Sequence, residues 1–133
     1  MSGFLDTSIV VRYLTNDVPR LAEQAAGVIE GGEDLWVTGV MLAEVDYVLR
    51  SVYQIPREAV IDQLLEIVGK ENIDCYGLEK EVVRQGLLMC RPSGRVSAAD
   101  AIIWAAARSS GRNVVYSFDR RFPSEGIEVR AEL

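Results

Sequence analysis

With 133 residues, 49% of them hydrophobic and 26% charged, the chain predicts one folded domain over residues 1–133, and no apolar run approaches the roughly 18 to 20 residues that span a bilayer. It contains no histidine, which excludes Ser–His–Asp and Cys–His nucleophiles and any ribonuclease that uses imidazole as acid and base. The formal net charge of −6 argues against strong binding of nucleic acid without metal, although twelve of the fourteen basic residues are arginine.

Strands and helices are predicted to alternate along the chain. Apolar residues that alternate with polar ones, or that follow one another without interruption, indicate strands, and apolar residues at helical spacing indicate helices. In chain order the predicted elements are a strand at 3–5, a helix beginning near Ile9, a helix at 18–29, a strand at 35–38, a helix at 40–53, a helix opened by Pro56, a strand at 73–76, a helix at 78–89, a helix at 97–110, a strand at 113–118 and an edge strand at 127–130. This alternation predicts an α/β sandwich around a mainly parallel sheet.

Two carboxylates follow predicted strands directly. Asp6 comes after the first strand and Asp119 after the strand at 113–118. In α/β folds the functional sites lie beyond the carboxyl ends of the strands, so both side chains are expected at the functional edge. Each also has a structural interpretation: Asp6 as the N-cap of the following helix, and Asp119 as the start of a turn.

Two further carboxylates lie on predicted helices. Asp100 interrupts an apolar helix and is expected to face a site, although Ser97 three residues earlier also matches a capping box. Glu44 borders an apolar stripe and is expected at the core margin, where a lone carboxylate is costly to bury; the alternative is pairing with an arginine or lysine. Asp46 is expected to be solvated, and the alternative is a supporting role.

The acidic residues also indicate the kind of metal. Four carboxylates brought close together would repel one another by roughly 4 kcal/mol per pair at an effective dielectric of about 20, so a cation is needed. Oxygen ligands favour Mg²⁺ or Mn²⁺. Zinc is not expected, because Cys75 and Cys90 alone cannot form a tetrahedral site. Both are expected to be buried thiols in a reducing compartment, with a structural disulfide as the alternative. The N-terminal segment has no signal-peptide pattern, which favours the cytoplasm.

Four segments together resemble the PIN-domain ribonucleases, specifically the VapC-like toxins of toxin–antitoxin pairs. They are Phe4-Leu5-Asp6-Thr7-Ser8, Glu44, Ala99-Asp100-Ala101-Ile102-Ile103 and Ser117-Phe118-Asp119-Arg120-Arg121-Phe122, in the family's order and roughly its spacing. The resemblance implies a three-layer α/β/α PIN fold, cleavage of RNA, a need for Mg²⁺ or Mn²⁺, a homodimer and inhibition by a small antitoxin protein that covers the acidic site.

The resemblance also implies roles for individual residues. Asp6 and Asp100 would be the principal metal ligands, and Glu44 and Asp119 would complete the acidic cluster. Ser117 would hold water or a ligand. Supporting or substrate-binding roles are expected for Thr7, Ser8, Arg95, Arg120 and Arg121. For the three arginines the alternative is that they are ordinary solvated charges of their loops.

The resulting hypothesis is an endoribonuclease that hydrolyses RNA phosphodiester bonds with metal-activated water, leaving 5′-phosphate and 3′-hydroxyl ends. Two alternatives remain open. One is a PIN-like module that binds RNA or protein without cleaving it. The other is phosphoryl transfer through an aspartyl-phosphate on Asp6, which the absence of a well-placed lysine disfavours.

Overall fold

The computed structural model describes residues 2–133, in which helices and strands alternate as predicted. The elements are β1 (Gly3–Phe4), α1 (Thr7–Thr15), α2 (Pro19–Ile29), β2 (Leu35–Val37), α3 (Gly39–Ser51), α4 (Arg57–Gly69), β3 (Ile73–Cys75), α5 (Lys80–Cys90), α6 (Ala98–Ser110), β4 (Val114–Tyr116) and β5 (Glu128–Arg130). The strands are shorter than predicted because the residues after them already belong to caps and turns; Thr38, for example, accepts a hydrogen bond from Met41 as the N-cap of α3. No helix within residues 2–133 is long and apolar enough to cross a membrane.

All paired strands run parallel. One sheet has the order β1-β2-β3, with Phe4 beside Trp36 and Trp36 beside Asp74, and a second sheet pairs β4 with β5. Parallel strands linked through helices confirm the predicted three-layer α/β/α class. One central sheet was predicted, whereas the hydrogen bonds divide the strands into a three-stranded and a two-stranded sheet. The carboxyl ends of β1 and β2 share one edge, so the segments that start α1 and α3 leave the sheet side by side.

Within residues 2–133, two apolar cores hold the helices to the strands. The larger one joins the first sheet to the helices and includes Leu5, Val10, Leu35, Val37, Leu42, Val45, Leu49, Ile61, Leu64, Ile73 and Leu87. The smaller one consists of Trp104, Ala105 and Phe122, with Val115 and Val129 packed against it. The indole N–H of Trp104 donates to the carbonyl of Glu125 at 2.9 Å. This second core therefore fixes the turn after β4 against α6, and Asp119 lies in that turn.

Three aromatic side chains lie together on the outer face of the first sheet. Phe4 is 61% exposed, and its ring centroid is 6.4 Å from that of Trp36 and 5.5 Å from that of Tyr76. Trp36 and Tyr76 also contact each other, at 6.0 Å. Asp6 lies two residues after Phe4, beyond the carboxyl end of β1.

Gly86 permits α5 to approach α6 closely. A Cβ atom at this position would lie 2.9 Å from the carbonyl oxygen of Ala101 and 3.3 Å from Cβ of Ala105. We expect Gly86→Ala to lower the free energy of unfolding by about 1 to 2 kcal/mol, because the clash with backbone outweighs the gain of roughly 1 kcal/mol in helix propensity. Urea denaturation measures this. Gly27→Ala in α2 is the matched control: no atom lies within 4 Å of its Cβ, so it should be stabilising. If both changes stabilise the protein equally, the close packing of α5 on α6 is incorrect.

Candidate active site

Asp6 ends the first strand and caps the first helix. Its carboxylate accepts hydrogen bonds from the backbone N–H of Ser8 at 3.3 Å and from the Ser8 hydroxyl at 2.8 Å. The hydroxyl bond is the main reason that the pKa of Asp6 is lowered, and the backbone bond adds to it. The structural interpretation as an N-cap is therefore correct. It is compatible with a role in a site, since Asp6 is exposed and has a second carboxylate oxygen.

Glu44 faces Asp6 across a depression of about 310 Å³, whose lining also includes Thr7, Thr38 and Val40. The expectation that Glu44 lies at the core margin was wrong, because its side chain is exposed. Its partner is neither arginine nor lysine, as the alternative had it: the hydroxyl of Thr7 donates to the Glu44 carboxylate. Thr7, the first residue of α1, thus links the helix that follows β1 to the helix that follows β2.

Asp46 is the buried acid of α3, and the expectation that it is solvated was wrong. Only 1% of the residue is exposed. Its two carboxylate oxygens accept from Nε and Nη2 of Arg50 at 2.8 and 2.9 Å, and one of them also accepts from the backbone N–H of Ala98 at 3.1 Å. The prediction failed because α3 packs against both α4 and α6, so its buried surface is wider than one stripe. The spacing of Asp46 and Arg50, one helical turn apart, was the available signal.

Asp100 lies in the first turn of α6 without a hydrogen-bond partner for its carboxylate among residues 2–133. Half of the predicted capping box is present, since the Ser97 hydroxyl accepts from the backbone N–H of Asp100 at 3.1 Å. The other half, in which the Asp100 carboxylate would accept from the backbone N–H of Ser97, is not formed within residues 2–133. Partial burial raises the pKa of Asp100, and the negative charge of Asp119 raises it further. An unpartnered, half-buried acid beside a second acid is what a cation-binding site requires.

Asp119 starts the turn after β4, as its structural interpretation predicted. Its carboxylate accepts from the backbone N–H of Arg121 at 2.9 Å and lies 3.6 Å from Nε of the same residue. The Ser117 hydroxyl accepts from the backbone N–H of Asp119 at 3.0 Å. Ser117 therefore shapes the turn and lines the same depression as Asp119. The carboxylate of Asp119 is exposed and keeps its second oxygen for other ligands.

The four predicted acids form two pairs. Asp6 and Glu44 share one depression, and Asp100 and Asp119 interact electrostatically. The helices that carry Glu44 and Asp100 pack on each other, and the Asp46 carboxylate of α3 accepts from the backbone N–H of Ala98 at the start of α6. No group of three or more Asp, Glu or Cys side chains in residues 2–133 is gathered closely enough to form a metal site by itself.

Three predicted substrate-binding arginines line one cavity next to the second acidic pair. The cavity has a volume of about 410 Å³, and Arg95, Arg120 and Arg121 lie in its wall. Arg120 also lines the depression that contains Asp119. Ser8, the remaining predicted supporting residue, is occupied with Asp6.

Comparison with known proteins identifies one family. A family model for the PIN domain matches residues 3–125, which include all four acids and the three arginines. No curated protein matches the chain.

Proposed function

Because the chain belongs to the PIN-domain family, whose members are typically nucleases, we propose that it is an endoribonuclease that depends on Mg²⁺ or Mn²⁺ and hydrolyses RNA phosphodiester bonds. The observation that carries the proposal is the Asp100–Asp119 pair. Asp100 is half-buried, has no hydrogen-bond partner for its carboxylate in residues 2–133, and faces the charge of a second acid. Such an arrangement is unfavourable unless a cation or a substrate-bound cation offsets it.

The donor set fits a hard divalent cation. All four acids supply oxygen, and each of Asp6, Glu44 and Asp119 is exposed and has an oxygen that its internal hydrogen bonds leave available. Following the resemblance, we assign Asp6 and Asp100 as the principal ligands and Glu44 and Asp119 as the acids that complete the site. When bound, the cation supplies Lewis acidity, which offsets charge on the phosphate and makes water easier to deprotonate at neutral pH.

The remaining residues position these acids. The Thr7 hydroxyl orients Glu44, the Ser8 hydroxyl orients Asp6, and the backbone of Arg121 orients Asp119. Because the chain has no histidine, carboxylates and water carry the proton transfers of the reaction. Burial and the negative charge of Asp119 raise the pKa of Asp100 above its ordinary value, which is typical of carboxyl groups in functional sites.

The aspartyl-phosphate alternative lacks a lysine near Asp6. Nζ of Lys80 donates to the carbonyls of Lys70 and Ile73, and Nζ of Lys70 lies over the ring of Tyr13. These are the two lysines of the chain, and both are bound near the start of β3. No side-chain ammonium group is thus placed to hold a phosphoryl group on Asp6.

The proposed biological role follows from the resemblance. The chain would act in the cytoplasm as the toxin of a toxin–antitoxin pair, form a homodimer, and be inhibited by a small antitoxin protein that covers the acidic site. Light scattering of the purified chain, alone and with the product of a neighbouring reading frame, would measure the homodimer and the complex separately.

Metal removal tests the nuclease proposal. We expect single-stranded RNA to be cleaved in Mg²⁺ or Mn²⁺, with no cleavage in excess EDTA and recovery when the metal is restored. Denaturing gel electrophoresis of labelled RNA measures this, and product ends bearing 5′-phosphate distinguish hydrolysis from transesterification. Cleavage that persists in EDTA would contradict the metal-dependent reaction. RNA binding without cleavage in either metal would favour the non-catalytic module instead.

A further inference from the structure

The walls of the cavity that contains Arg95, Arg120 and Arg121 are held in place by contacts within the protein. It lies between the loop at 92–96 and the turn at 120–125. The Ser93 hydroxyl accepts from the backbone N–H groups of Arg95 and Val96, both at 3.1 Å, and so fixes the loop. On the other side, the turn is held by buried Phe122 and by the bond from Trp104 to the Glu125 carbonyl. Both walls are therefore supported from inside the molecule.

The positive charge in this cavity is available to a ligand. Six arginines lie within 4.0 Å of an Asp or Glu carboxylate in residues 2–133: Arg12, Arg50, Arg84, Arg91, Arg121 and Arg130. Arg95 and Arg120 have no such partner within the described chain, and they line the same cavity. Arg121 also lines the cavity, and its Nε lies 3.6 Å from the Asp119 carboxylate. The one acidic side chain in the lining belongs to Glu125.

The cavity adjoins the depression that contains Asp119. Arg120 belongs both to the cavity and to the depression that contains Ser117 and Asp119. The backbone N–H of Arg121 binds the Asp119 carboxylate. An anionic chain bound beside Asp119 therefore has the arginines of the cavity as its neighbours.

We propose that this arginine cavity binds a backbone phosphate of single-stranded nucleic acid, next to the phosphodiester bond cleaved at the acidic pair; the assignment rests on the proposed nuclease function. The planar guanidinium group donates two parallel hydrogen bonds to phosphate oxygens, and the Ser93 and Ser124 side chains add hydroxyl donors at the wall. The lining offers no exposed aromatic ring on which a base would stack, because Phe122 is buried. The cavity therefore binds phosphate without reading sequence. It also explains how a chain of net charge −6 holds an anionic substrate.

Salt dependence of binding tests the assignment. The variant Arg95→Ala/Arg120→Ala is compared with Arg20→Ala/Arg112→Ala, which removes two arginines that have no carboxylate partner in residues 2–133 and do not line the cavity. Fluorescence anisotropy with a labelled single-stranded RNA in EDTA measures affinity across a salt series. Each lost phosphate contact lowers the slope of log K against log salt by about 0.7 for single strands. The cavity variant loses the one phosphate that the cavity binds, so its slope should fall by about 0.7, whereas the slope of the control should not change. Affinity should fall by a similar factor for RNAs of different sequence.

The outcomes separate the two proposals. Equal slopes for the cavity variant and the control would overturn the phosphate site, even if the protein cleaves RNA. A reduced slope for the cavity variant supports the site, even if cleavage fails and the nuclease proposal falls. Oligonucleotides with and without a 5′-phosphate provide the last arm: equal binding supports an internal backbone phosphate, whereas binding that requires the 5′-phosphate would overturn that assignment in favour of a terminal phosphate.

Discussion

The variant Asp100→Asn is expected to lose RNA cleavage by on the order of 100- to 1,000-fold, while its metal-free form melts at a higher temperature than the unaltered protein. The loss follows because a principal metal ligand contributes several kcal/mol of charge stabilisation in the reaction. The gain in melting temperature follows because the ionised Asp100 carboxylate is half-buried beside Asp119 without a hydrogen-bond partner in residues 2–133. Cleavage assays in Mg²⁺ and thermal melts in EDTA measure the two effects on one preparation.

The pH dependence of stability tests separately whether the charge of Asp100 destabilises the folded protein. The pKa of Asp100 is raised in the folded chain above its ordinary value of 3.8, so the folded state binds its proton more tightly than the unfolded state does. Ionisation therefore costs stability at neutral pH, and this cost disappears as pH falls below the unfolded pKa. The stabilising effect of Asp100→Asn should be largest near neutral pH and vanish in acid. Asp6→Asn should not stabilise the protein, because hydrogen bonds to Ser8 lower the pKa of Asp6 and its charge favours the folded state.

Asp34→Asn is the matched control for Asp100→Asn. It makes the same chemical change at an exposed acid before β2, at the opposite end of that strand from the site. We expect it to leave cleavage unchanged. In the unaltered protein Mg²⁺ should also raise the melting temperature, and this effect should shrink in Asp100→Asn because a ligand that binds only the folded state stabilises it by mass action. Cleavage retained in Asp100→Asn, or a lower melting temperature in EDTA, would show that Asp100 is a structural residue.

Most of the fold could be predicted from short-range patterns. Apolar residues recur at helical spacing in α2, α3 and α4, and cap residues mark the helix starts at Asp6 and Ser97. These signals depend on neighbours within about four residues, so they can be recognised in the sequence without knowledge of the tertiary structure. Strand lengths were overestimated because an apolar run does not show where its backbone begins to turn.

The burial of acids on α3 could not be predicted in the same way. The periodic pattern assigned one buried face to α3 and placed Glu44 at its border and Asp46 in solvent. The structure places Asp46 inside and Glu44 outside, because the N-terminus of α6 packs on α3 and offers a backbone N–H at Ala98. That donor is 52 residues away along the chain. Pairings of this kind depend on the tertiary arrangement and leave no local periodicity.

The pairing of the site residues has the same origin. Thr7 and Glu44, 37 residues apart, meet because β1 and β2 are neighbours in a parallel sheet. The charge of Asp119 reaches Asp100 because Trp104 and Phe122 fix the turn after β4 against α6. The identities of the four acids could be inferred from the ordered motifs, whereas their partners could not. The partners matter chemically, since they determine which acid has a raised pKa and which has a lowered one.

Asp46→Ala is expected to lower the free energy of unfolding by about 3 kcal/mol. The change leaves the Arg50 guanidinium without its carboxylate and the Ala98 N–H without an acceptor, and removal of one partner from a buried ion pair costs about 3 to 5 kcal/mol. The lower end applies because the Arg50 side chain is 27% exposed, so water reaches the cation that remains. Urea denaturation with an unchanged m-value measures the loss. Glu81→Gln, which breaks the exposed Arg84–Glu81 pair, should cost less than about 1 kcal/mol and serves as the control.

Asp46→Ala should also make the start of α6 more mobile. The Asp46 carboxylate caps this helix, which carries Asp100, although it is distant from the helix in sequence. The carboxylate lies at the N-terminus of α6, where a negative charge is favourable, and binds the first N–H of that helix. Hydrogen exchange at the Ala98 amide should therefore accelerate in Asp46→Ala by more than global destabilisation accounts for. Cleavage should fall under conditions in which the variant remains folded, since Asp100 then leaves its position opposite Asp119. If Ala98 exchanges only at the rate of global unfolding and the folded variant cleaves RNA normally, Asp46 contributes stability alone and α6 is positioned by its apolar contacts.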